Sequence, residues 1–94
     1  MTPSSRVAFS VRVTGFVHGV FFRASMAQVA TNHEVSGWVR NRLDGSVEAF
    51  LEGEEPNVKK VIEWAKRGPP RARVDRVEFS RARPKNFRGF RIES

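Results

Sequence analysis

An α+β fold of the ferredoxin-like, split βαβ type is predicted by two features of the chain. Apolar residues alternate with polar ones in several short runs, and between these runs lie two segments whose apolar residues recur at helical spacing. The resulting order βαββαβ places two helices on one face of an antiparallel sheet. With 94 residues, one compact domain spanning the whole chain is expected, with a single core.

The elements follow in order. Val7, Phe9, Val11 and Val13 alternate with Ala8, Ser10, Arg12 and Thr14, the period of a strand with one buried face. Residues 1–5 precede this pattern and are expected to be flexible. After Gly15 to Phe22, the residues Phe22, Met26, Val29 and Ala30 share one helical face, and the helix is expected to end near Asn32 or His33. Residues 35–41 and 46–53 read as an antiparallel hairpin, with Asp44-Gly45 supplying the positive φ angles of a tight turn. Pro56 suits the first turn of a second helix, whose Val58, Val61, Ile62 and Ala65 again share a face, and Gly68-Pro69-Pro70 ends it. Val74, Val77 and Phe79 mark a fourth strand in which the step of three between the valines suggests a bulge. Phe90 and Ile92 give a short last strand. Phe9, Phe21, Phe22, Trp38, Phe79 and Phe90 are expected to pack in the core or on the sheet. Phe50 shares a strand face with Glu48 and Glu52 and is expected to be partly exposed.

Composition narrows the function. The chain is 39% hydrophobic and 29% charged, apolar enough to fold. No stretch is long and apolar enough to cross a bilayer, and Met1 to Arg6 lead into the first strand without a signal-peptide apolar run, so a cytoplasmic protein without membrane association is expected. Cysteine is absent, which excludes disulfides and thiol chemistry. Seventeen basic residues against ten acidic ones give a net charge of +7 and a field that attracts anions, whether phosphorylated metabolites or nucleic acid.

Two segments carry candidate chemistry. In Gly15-Phe16-Val17-His18-Gly19-Val20-Phe21-Phe22-Arg23, a turn with two glycines leads from a strand into a helix. Free backbone N–H groups and the helix dipole then favour an anion, and Arg23 adds a guanidinium fork matched to phosphate oxygens. No Gly-Lys-Ser or Gly-Lys-Thr follows, so this is not a nucleotide triphosphate loop. The second segment is Gly37-Trp38-Val39-Arg40-Asn41, with Asn41 near the end of a strand. Neither His18 nor His33 has the spacing to acidic or histidine neighbours that a metal site needs, and no cofactor is expected.

Taken together these segments resemble the acylphosphatase family, whose motifs run Gly-x-Val-Gln-Gly-Val-x-Phe-Arg and Gly-Trp-Val-x-Asn. The similarity continues through Asp44-Gly45-x-Val47-Glu48, Gly68-Pro69-Pro70-x-Ala72-x-Val74 and Phe90-Arg91-Ile92. The resemblance implies hydrolysis of a small acyl phosphate, with the phosphate held by Val17, His18, Gly19, Val20, Phe21, Phe22 and Arg23. It also implies that Asn41 positions a water, and that inorganic phosphate or similar anions bind as product or inhibitor. The chain departs from the family at His18, where Gln is usual, and at Glu34, where Gly is frequent. An RNA-binding module of the same architecture is the competing reading, but its strand-borne aromatic pattern is not met, so nucleic acid is not expected as a partner. A carrier domain without catalysis is a third reading; the length and both intact motifs favour a free-standing enzyme, and a small self-contained sandwich with no obvious exposed apolar stripe is compatible with the monomer expected.

Overall fold

In the computed structural model, residues 6–93 are described, and the expectation for residues 1–5 lies outside them. The order is β1 (Arg6–Phe16), α1 (Phe22–Asn32), β2 (Ser36–Asn41), β3 (Val47–Glu54), α2 (Glu55–Ala65), β4 (Arg73–Ala82) and β5 (Phe90–Glu93). The strands form a five-stranded sheet ordered β4-β1-β3-β2-β5. Three of its pairings are antiparallel as expected, whereas β5 runs parallel to β2 and makes the sheet mixed.

Alternation along the strands decides what is buried. Phe9, Val11 and Val13 from β1 and Val47, Ala49 and Leu51 from β3 meet Phe22, Met26 and Ala30 of α1 and Val58, Val61, Ile62 and Ala65 of α2, so both helices share one face of the sheet. These helical residues are the ones the periodicity selects. Between Thr14 and Gly15 the β1–β4 register slips, leaving Asp75 as the extra residue, so Val74 and Val77 both turn toward the core. Gly15 makes the bulge possible: a Cβ there would lie 2.1 Å from the Arg73 carbonyl oxygen.

Three aromatic expectations change. Phe79 stands on the core face, but α2 packs over β1 and β3 and leaves the edge strand uncovered, so the ring is 50% exposed against Phe9. Phe21 is 75% exposed. Phe50 is instead buried, because residues 83–89 must cross the sheet from edge strand β4 to edge strand β5 and do so over the face opposite the helices. There Phe50 stacks on Trp38 and meets the Phe87 ring edge-on at 5.5 Å.

The crossing segment is held by Glu52, whose side chain is wholly buried. Its carboxylate accepts the Lys85 N–H at 2.9 Å, the Asn86 N–H at 2.8 Å and the Phe87 N–H at 3.5 Å, and pairs with Arg6 Nε at 2.8 Å. Arg6 also donates to the Phe87 carbonyl, and the Gly37 N–H bonds the Gly89 carbonyl. Burial pushes the Glu52 carboxyl up, but Arg6 and the three N–H donors together outweigh it and hold the group below its ordinary value of 4.5.

Hairpin turn and helix end differ in detail from expectation. In the turn only Gly45 has positive φ, and Asp44 contributes through its side chain instead. Past α1, Glu34 adopts φ 57, the left-handed conformation that favours glycine.

Two predictions follow from this geometry. Glu52→Gln keeps the volume but turns an amide donor toward backbone donors, and urea unfolding at neutral pH is expected to show a loss of about 3 kcal/mol. Because the folded-state pKa is lowered, the wild-type advantage is complete above 4.5 and shrinks as pH falls through the folded value. Glu34→Gly relieves the left-handed strain and is expected to raise stability by about 1 kcal/mol, read as an upward shift of the melting temperature.

Candidate active site

Strand alternation also decides where Asn41 stands. Val39 is fully buried under the helices, and Asn41, two residues on, continues that face to the end of β2. Its neighbours Arg40 and Arg42 take the opposite face, where Glu48 Oε1 accepts Arg40 Nε at 2.9 Å and Arg42 Nη1 at 2.9 Å. Burial pushes the Glu48 carboxyl up, but the hydrogen bonds and charges of the two arginines prevail and lower it. Beyond Arg42, Asp44 Oδ1 accepts the Ser46 hydroxyl at 2.6 Å and the Ser46 N–H at 2.9 Å, while Arg12 pairs with the other oxygen. The Ser46 hydroxyl and N–H, and then Arg12, hold the Asp44 carboxyl down at about 2.

The facing wall is the loop between β1 and α1. Val17 and Val20 are 1% and 4% exposed and pin the loop into the core, while Gly19 and Phe21 are turned outward. Gly19 and Phe21 have φ 69 and φ 63, and left-handed residues in such a turn direct successive N–H groups toward one side, as in a backbone anion nest. For Gly19 the reason is conformational, since a Cβ there would meet nothing within 4 Å. Phe21 is the N-cap of α1, yet no side chain caps the helix and no acidic residue lies in its first turn, so its leading N–H groups keep their partial positive charge. His18 Nε2 donates to the Ser46 carbonyl at 2.8 Å, the oxygen that also accepts the Arg42 N–H, and so ties the loop to the hairpin beside Asn41.

Arg23, in the first turn of α1, is half-buried and donates from Nη1 to the Glu93 carbonyl of β5 at 3.2 Å. Gly19, Phe21, Phe22, Arg23, Asn41 and Ile92 line one cleft of about 310 Å³. Asn41 Oδ1 is buried and hydrogen-bonds to nothing among the described residues. The structure therefore brings Arg23 and Asn41 together with Gly19, Phe21 and Phe22. Val17 and Val20 have only backbone to offer, and the His18 side chain is spent on Ser46. Ile92 and the Glu93 carbonyl are contributions that the sequence reading missed. Their only signal was the apolar alternation of a short terminal strand, which does not say which edge of the sheet the strand joins.

Among the described residues no three His, Cys, Asp or Glu side chains cluster closely enough to hold a metal ion, and no helix is long and apolar enough to cross a membrane.

Residues 9–92 match the family model described as acylphosphatase. Among curated relatives, an acylphosphatase of Thermococcus kodakarensis is 47% identical over 87 residues, covering 93% of this chain and 96% of its own. Another, from Pyrobaculum islandicum, is 56% identical over 82 residues, covering 85% of this chain and 86% of its own. The solved structure of an acylphosphatase from Coxiella burnetii superposes with a TM-score of 0.94 at 34% identity, covering 99% of this chain and all of that one. With this likeness running through both walls of the cleft, the chain belongs to the acylphosphatase family of enzymes.

Proposed function

We propose that the cleft hydrolyses the carboxyl–phosphate anhydride of small acyl phosphates, releasing a carboxylate and inorganic phosphate. The observation that carries this reading is the pairing, in one cleft, of the Arg23 guanidinium with a buried Asn41 Oδ1 that has no hydrogen-bond donor among the described residues. A buried acceptor without a partner is costly, and it is well suited to a water that must be held in one orientation.

In this mechanism the phosphoryl group lies against the N–H groups of residues 17–22, and the anion takes the place of the missing helix cap. Arg23 neutralises the phosphate with the donors not engaged by Glu93. Asn41 accepts a hydrogen bond from the attacking water and aligns it with the phosphorus; an amide is no general base, so its role is positioning. The water oxygen bonds to phosphorus as the bond to the carboxylate oxygen breaks, and the water's proton passes to a phosphate oxygen. Because a carboxylate leaves readily through a loose transition state, alignment and charge stabilisation suffice without a strong base or cofactor.

Hydrolysis of benzoyl phosphate by the purified protein, with a chelator present, is the direct test. Arg23→Ala is expected to raise KM and lower kcat, with kcat/KM falling about 10²- to 10³-fold, whereas Asn41→Ala lowers kcat about 100-fold with little change in KM. Circular dichroism establishes that both variants fold. Wild-type activity in both would refute the site. For His18 the tie to Ser46 predicts that Gln, which keeps a donor, leaves kcat/KM within about threefold, while Ala lowers it about fivefold by loosening the loop.

A further inference from the structure

Phe21 is unfavourable in three respects at once. It holds φ 63 and ψ 27, a conformation in which a bulky side chain is strained and which glycine or asparagine adopts more readily. It stands at the N-cap of α1, where a polar side chain would satisfy a helix N–H, and supplies no such bond. Its ring is 75% exposed. The direction of the loop N–H groups explains the backbone angle but not the choice of an aromatic side chain, because glycine would give the same backbone at lower cost.

The position of the ring accounts for it. In the proposed reaction the phosphoryl end of the substrate is taken up by the loop and Arg23, and the rest of the molecule must leave through the mouth of the same cleft. Two exposed apolar side chains line that cleft, Phe21 on the loop and Ile92 on β5. Ile92 pairs with Val39 across the parallel β2–β5 register and so shares the face of the sheet that carries Asn41 two residues further on. It is 50% exposed where a solvent-facing strand end would ordinarily carry a polar residue.

From these placements we propose that Phe21 and Ile92 form an acyl-side subsite that selects substrates whose acyl group is apolar and planar, an aromatic acyl phosphate over a short aliphatic one. The proposal rests on the hydrolytic reading above and adds to it the class of acyl group. The ring offers its face to an aromatic acyl group by stacking, while Ile92 closes the other side by apolar contact. An acetyl group offers far less apolar surface to either side chain.

The experiment measures kcat/KM for benzoyl phosphate and for acetyl phosphate in wild type, Phe21→Asn, Ile92→Ala and Phe21→Tyr. Asparagine is chosen because it tolerates the left-handed backbone, so that the loop keeps its path. The readout is the ratio of the two kcat/KM values within each protein. The fraction of active enzyme cancels within each ratio, and the intrinsic reactivity of the two anhydrides cancels when a variant's ratio is compared with that of wild type. It is expected to fall about fivefold in Phe21→Asn and in Ile92→Ala and to stay at the wild-type value in Phe21→Tyr. A ratio unchanged in both truncating variants, with both substrates still hydrolysed, overturns the subsite and leaves the reaction standing. If wild type hydrolyses neither substrate, the reaction falls and the subsite with it.

Discussion

The buried carboxylate of Glu52 is the interaction on which the rest of the sheet depends. Removing an ionised group from water costs several kcal/mol unless donors surround it, and here three backbone N–H groups and Arg6 do so. These donors belong to segments distant in sequence, and Glu52 gathers them at one end of the sheet. The consequence is topological. A chain leaving β4 on one edge can reach β2 on the other only by crossing β1 and β3, and the carboxylate fixes the path of that crossing. β5 then arrives parallel to β2, bringing the Glu93 carbonyl to Arg23 and Ile92 to the cleft.

The cleft wall formed by β2 rests on a second set of charges. Asn41 stands at a strand end, where backbone frays most readily, and its neighbours Arg40 and Arg42 are both bound by Glu48. The turn just beyond is closed by Asp44 and Ser46, and His18 connects that turn to the opposite wall. In the proposed mechanism Asn41 orients a water, which needs positional accuracy more than reactivity, so the ion pairs around it serve that role. These ion pairs also engage part of the basic charge: Arg40 and Arg42 are paired to Glu48, and Arg12 to Asp44 in the turn.

Local pattern made most of this fold legible. The two helices, their buried faces, the hairpin and the β4 bulge all appear as spacing, because each is governed by which neighbours share a face. The face opposite the helices was not legible for the same reason. Glu48, Phe50 and Glu52 alternate as a solvent-facing stripe does, and nothing within β3 indicates that residues 83–89 return over it. Phe79 packs on the sheet against Phe9 yet stays half-exposed, because it stands on the edge strand at the flank of α2. In the site, Arg23 and Asn41 were legible through family resemblance, whereas Ile92 depended on the choice of sheet edge, a long-range outcome that no motif encodes.

Phe21 shows where motif and physics separate. In the proposed reaction the loop meets the phosphoryl group with backbone groups, so its side chains are constrained only by whether they permit the curl, and glycine would be the least strained choice at any left-handed position. Val17, His18 and Val20 hold no left-handed backbone; the two valines anchor the loop in the core and His18 holds the hairpin. Phe21 does neither, since its ring reaches neither core nor hairpin. A backbone cradle recognises the phosphoryl group that all acyl phosphates share and therefore cannot distinguish among them. In the proposed subsite, discrimination comes from side chains at the mouth, and Phe21, the residue there that departs furthest from conformational ease, faces the part of the substrate the cradle cannot read.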